Sequence, residues 1–277
     1  MKKIAFLFVT LALLASCTGN KSQQQTTTEE TQEASKRAAK DLNESFEEQQ
    51  IRAGMSVQLD SLTAAWLRVG KSPLKVNMQE KKFVLNEEEK MIKPDYLMDP
   101  AEVMSKLETL SLKYRALAVF SDEKEIADLY DMPDVYSEPI TLLAADVNDP
   151  AMKYALETSF DSLNVADIYA IEEQYGRVNY FWEAAATMTI EHLYILTKNQ
   201  EMYLKNFTDK DAEDITFRVV LLLDAFEELS DYNHELRRLY NLLRPLEVLD
   251  AITVDQLRGQ LTQMKKEIEQ ARATLFL

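Results

Sequence analysis

Apolar positions in this chain recur mainly at helical spacing. Met55, Leu59, Leu62, Trp66 and Val69 follow one another at intervals of 4, 3, 4 and 3, which puts them on one face of a helix. Leu42 and Phe46 belong to an earlier turn, slightly out of phase, so the pattern predicts one long amphipathic helix over 34–69. That stripe either docks on the protein's own body or forms a seam with a partner. Gly70 and Pro73 end it. The segment 70–98 breaks the period, and LKVNM and KFVLN within it read as two short strands or an extended wrap. Asn86 ahead of Glu87-Glu88-Glu89 predicts a capped helical turn, with its carboxylates at the positive end of the helix dipole.

From residue 99 onward the helical period runs almost to the end. Asp99-Pro100 supplies a cap and a first-turn proline for a helix carrying Val103, Leu107, Leu110, Tyr114, Leu117 and Phe120. Ser121 reads as the cap of a shorter helix ending near Asp131. A loop with Pro133 and Pro139 leads to another in ITLLAADV, and Asp149-Pro150 repeats the cap-and-proline start. Residues 178–196 are apolar nearly all round, the mark of a helix at the centre of a domain. Glu183, Glu191 and His192 within them make a membrane span too costly. The stretch 215–229 is the expected partner of that helix, opened by Thr208, and Thr253 opens a last helix to about Thr274. The stripes after the two Asp-Pro starts do not align, so there is no solenoid repeat. The expectation is an all-α chain: an irregular multi-helix bundle forming a single domain over 34–277, with one long N-terminal amphipathic helix and a short extended segment.

Composition agrees. With only 5 glycines and 7 prolines in 277 residues, turn-rich sandwiches and barrels are disfavoured. An apolar share of 46% suffices for one sizeable core, or two small ones. The net charge of −16 argues against nucleic acid and anionic lipid headgroups as surface partners.

The first residues add a location. Lys2-Lys3, an apolar run from Ile4 to Leu14 and small residues before Cys17 have the layout of a secretory signal. The apolar run is too short to span a bilayer as a stable helix. Leu14-Ala15-Ser16-Cys17 resembles the lipobox of bacterial lipoproteins. The resemblance implies cleavage after residue 16, removing Lys2 and Lys3 and taking the charge from −16 to −18, with acyl chains on Cys17. Each buried methylene would contribute about 0.8 kcal/mol to that anchor. Cys17 is the only cysteine, so the fold has no disulfide to rely on. Residues 17–33 read as the acylated cysteine and a polar tether, reaching roughly 20–25 Å as a flexible coil.

Candidate chemistry is sparse. Glu183, Glu191, His192, Arg218 and Asp224 are the ionisable residues that the two central helices would desolvate, as a structural polar cluster, as the lining of a ligand pocket or as an acid–base site. Glu227, Asp231 and His234 are spaced to share a helical face, but they supply only half of a di-metal carboxylate set, so no metal and no cofactor is expected. Asp209 to Asp214 lacks the glycine and twelfth-position carboxylate of a calcium loop and reads as a helix start. No phosphate loop, nucleophile elbow or serine marked by its context is present, which points away from catalysis.

The stretch from Leu85 to Pro100 and the segment KYRALAVFSDEKEIADLYDMP resemble uncharacterised helical lipoproteins of Bacteroidota, over about a sixth of the chain. That resemblance implies an organism group and an envelope location and carries over no functional residue. Asp60-Ser61-Leu62 and Asp161-Ser162-Leu163 match the short O-glycosylation pattern of that group, with Ser61 and Ser162 as acceptors. No acidic cluster follows Cys17, which favours an outer-membrane lipoprotein facing the periplasm over a surface-exposed one. The expected function is a non-enzymatic, membrane-anchored module that binds another envelope protein. The alternative is a helical bundle that binds a small ligand or metal.

Overall fold

The computed structural model describes residues 57–132, 135–159 and 162–277. Cys17, the expected signal and tether, residues 34–56 of the expected long helix, and Pro133 lie outside the described residues. Every regular element among the described residues is helical, so the chain is all-α, and the predicted extended segment is corrected in part.

Helix α1, Val57–Val69, buries Leu59, Thr63 and Trp66, so the described part of the predicted stripe is docked in the protein's own core. Gly70 ends it with φ +66, a left-handed conformation that strains any residue with a Cβ. LKVNM is helical rather than a strand: Ser72 caps α2, Pro73–Gln79, with Pro73 in its first turn. KFVLN is irregular, and α3, Glu87–Met91, carries the expected capping box between Asn86 and Glu89.

The helix predicted from Asp99 divides. Helix α4, Pro100–Met104, stops within two turns, and Thr109 caps a new helix, α5, Leu110–Leu129. Ser121 does not cap anything: it lies inside α5, where its hydroxyl donates back to the Leu117 carbonyl. Helices α6, Ser137–Val147, and α7, Pro150–Glu157, follow, the second capped by Asp149 as expected. Helix α8, Val165–Tyr175, closes on Gly176 with φ +70. Next come the central α9, Val178–Lys198, the short α10, Gln200–Tyr203, and α11, Asp209–Leu229, whose start is a capping box between Thr208 and Asp211. Helix α12, His234–Leu243, a 3-10 turn, then α13, Val254–Gln263, and α14, Lys265–Ala273, complete the chain. The predicted last helix is thus interrupted at Met264.

Helix α9 is the spine. Trp182, Ala186, Ile190, Ile195 and Leu196 on it are wholly buried. Its chief neighbours are α5 and α14. Helix α11 touches it edge-on, Trp182 against Phe226 at 6.3 Å, but packs mainly on α1 and α12, which corrects the expected pairing. None of the described helices is long and apolar enough to cross a membrane.

Candidate functional site

Two faces of α9 carry ionisable groups, and they are built differently. On the sealed face Glu183 meets Arg115 of α5, and both are buried. Arg115 donates to Glu183 from Nε and Nη2 at 3.3 and 3.2 Å, to Glu235 at 2.6 Å, and from Nη1 to the Leu275 carbonyl at 3.2 Å. The Ser111 hydroxyl also donates to Glu183. Burial pushes the Glu183 carboxyl above its ordinary range in spite of Arg115.

Two turns on, Glu191 accepts from Arg272 Nε at 3.0 Å, while Arg272 Nη2 donates to Glu123 at 2.6 Å. Glu123 also accepts the Met98 N–H and the Tyr136 hydroxyl, each at 3.0 Å. Burial first, then the neighbouring Glu191, raise the Glu123 carboxyl well above the usual range. One guanidinium thus serves two buried carboxyls.

The other face of α9 looks into a cleft of about 1160 Å³. Its walls are contributed by α1, α2 and α5 to α9, and much of the lining is apolar, with Ala118, Ala144, Ala184, Ala185 and Met188 along its length. At one end His192 bridges Ser72 and Asp122: Nδ1 lies 2.7 Å from the serine oxygen and Nε2 2.9 Å from the carboxylate. Lys75 reaches Asp122 at 2.8 Å and Glu125 at 2.6 Å. Burial alone would lower the Lys75 ammonium, but these two carboxylates hold it at about 12. Asp122 is driven the other way: burial would raise it, and Lys75 with His192 pull it down to about 2. The carboxylate therefore stays ionised.

Arg218 lines the same end. It is 6% exposed, and its Nη2 donates to the carbonyls of Val69 and Gly70 at 3.0 and 2.6 Å. The guanidinium carbon lies 5.3 Å from the centre of the Trp66 ring. Burial lowers it to about 10. At the far end Asp149 is fully committed. It caps α7 through the Ala151 and Met152 N–H groups, accepts the Tyr114 hydroxyl, and pairs with Arg177 at 3.2 Å.

The predicted cluster is therefore dispersed. Glu183 and Glu191 join separate networks, His192 and Arg218 share the cleft, and Asp224 belongs to neither. Asp224 is exposed because α11 is amphipathic: Leu222, Ala225 and Phe226 point inward, while Phe217 and Val220 stay partly outside. Glu227, Asp231 and His234 do not share a helical face either, since α11 ends at Leu229 and α12 begins at His234. Asp231 pairs with Arg237, and the His234 side chain is largely exposed. Among the described residues no group of three His, Cys, Asp or Glu side chains could hold a metal ion. Ser61 and Ser162 are both exposed.

Arg115, Asp122, Glu123 and Arg272, the partners that organise these networks, were not singled out by sequence reasoning. The signal was present for α5: Ser111, Arg115 and Asp122 fall in phase with the buried Val119 and Ile126. A polar residue in phase with a core stripe needs a buried partner. The comparisons with known proteins add no relative: no family model, no curated protein and no solved structure matches this chain.

Proposed function

We propose that this chain is an acyl-anchored envelope protein whose helical domain holds an apolar small molecule in the cleft between α5 and α9. The observation that carries this reading is the cleft itself. Its volume of about 1160 Å³ lies slightly above the ~300–1,000 Å³ range of small-molecule sites, and alanines along part of its wall leave room for a guest. The lipobox-like Cys17, the tether and the resemblance to Bacteroidota lipoproteins support an outer-membrane anchor facing the periplasm. In this reading α1 is the end of a helix that starts near Ala34 and joins the tether to the body.

A protein partner bound through the Leu59–Trp66 stripe is the weaker reading, because those two side chains are 1% and 5% exposed. Thermal unfolding with a panel of single-chain amphiphiles tests the proposal. A guest at a hundred times its Kd would add about 2.7 kcal/mol and raise the melting temperature by about 5–10 °C. Replacing Ala184 by Trp, which fills the cleft from a half-exposed position, should abolish the rise.

One observation favours a second reading. Ser72, His192 and Asp122 follow one another as nucleophile, base and carboxylate would, with the serine on Nδ1 and the carboxylate on Nε2, the reverse of the serine-hydrolase arrangement. The same contacts also serve as a clamp joining α2 to α5 and α9, since Ser72 caps α2 through the Lys75 N–H and Asp122 is shared with Lys75. A fluorophosphonate probe separates the two: labelling at Ser72 that disappears in His192→Ala would establish a hydrolase, and an unlabelled serine would leave the clamp.

A further inference from the structure

Arg218 is the exception among the strongly buried cations of the described residues. Arg115 pairs with Glu183 and Glu235, and Arg272 with Glu123 and Glu191, whereas no carboxylate lies within 4 Å of Arg218 among the described residues. Asp214, whose charge acts on it from a distance, is held by Lys210 at 3.2 Å. Two backbone carbonyls and one ring face are the partners of the guanidinium, and its Nε is enclosed without an acceptor. A buried guanidinium offers five donors and a full charge, and leaving such a group uncompensated is costly. In a chain of net charge −16 that exception is local and specific.

We propose that Arg218 receives the anionic head of the cleft's guest. The guest is then a single-chain amphiphile, with a carboxylate or phosphate monoester at the Arg218 end and an apolar tail along Ala184, Met188 and Ala118. This rests on the reading of the cleft as a ligand site and adds its chemistry and direction. Two other charged pairs at the lining bear on the direction. Lys75 is spent on Asp122 and Glu125, so it adds no free positive charge. At the far end Arg177 is paired with Asp149, so neither offers an unspent charge. Ser72 and His192 lie beside the head position and can adjust their shared proton to an oxygen placed there. Planar, bidentate recognition of carboxylate and phosphate is what a guanidinium does best.

The test is titration of the full chain with hexadecanoate, hexadecyl phosphate and hexadecanol, followed by tryptophan fluorescence, since the Trp66 ring lies against Arg218 in the cleft lining. The proposal expects at least one of the anions to bind about tenfold or more tightly than the alcohol, the worth of one charged hydrogen bond. Which anion wins separates a free fatty acid from a phosphate-headed lipid. Arg218→Gln should erase the preference, and Arg218→Lys should retain part of it. Equal binding of all three by the native protein overturns the role of Arg218 and leaves the cleft as a ligand site. Binding of none overturns both. The head-group comparison on the native chain decides the matter even where Arg218→Gln does not fold.

Discussion

The sealed and open faces of α9 use similar residue types to opposite ends. On the sealed face, Glu183 and Glu191 are enclosed by α5, α12 and α14, and each finds a guanidinium with a second carboxyl attached to it. Nothing there is left to receive a guest. On the open face, one turn of helix brings Met188, Thr189 and His192 to the wall of a cleft, and Arg218 stands beside it with carbonyls as its hydrogen-bond acceptors. Burial of charge by itself therefore says little about function. What separates a structural network from a site is whether the charges are balanced within the fold and whether space remains in front of them.

The largest effect that can break this contrast lies on the sealed side. Arg115→Ala leaves Glu183 buried and unpaired, and urea unfolding should show a loss of about 3–5 kcal/mol. The pair Arg115→Met with Glu183→Leu should recover most of it, because removing both charges removes the cost of burying them. If the double variant were as unstable as the single one, the network would matter through something other than charge balance.

Next in size is the stripe on α1. Leu59→Ala should cost about 2–5 kcal/mol, through lost burial and the cavity left behind. A change that leaves stability intact while detaching another protein would restore the partner reading of that helix.

Acid sharpens the contrast further, because Asp122 and Glu123 respond with opposite sign. Asp122 is lowered in the folded state, so its stabilisation is complete above its unfolded value near 3.8 and is lost as pH falls toward 2. About 2 kcal/mol is at stake, and Asp122→Asn should flatten the pH dependence of unfolding in that window. Glu123 is raised, so its contribution is present at low pH and declines as pH climbs above 4.5 through its folded value. Glu123→Gln should flatten that upper limb and leave the Asp122 window unchanged.

The smallest effect belongs to a region that touches neither face. Asn86→Ala removes the capping box of α3, a helix with no buried residue, and should cost about 1 kcal/mol or less by chemical denaturation.

Local rules made much of this fold readable in the sequence. Asn86, Asp99, Asp149, Thr208 and Thr253 cap helices where their side chains and the following residues predict, because a cap depends on three or four neighbouring residues. The buried spine was legible from its all-round apolar pattern. What failed depended on tertiary context. LKVNM has a strand-like look, yet Ser72 and Pro73 start a helix there and Leu74 and Met78 bury on one side of it. Asp224 sits in an apolar run that suggested burial, but packing on α1 and α12 turned its side outward. The site was legible only in halves: His192 and Arg218 stood out, whereas Ser72, Lys75 and Asp122 lie more than 65 residues away from both in the chain. No spacing rule connects them.

The most direct test of the ligand-cleft account is the content of protein purified from its native host. Denaturing extracts of the native chain and of folded Ala184→Trp would be compared by mass spectrometry. The account predicts a small amphiphile released in near-stoichiometric amount from the native chain and absent from the filled variant. The same molecule in both extracts, or none in either, would contradict it.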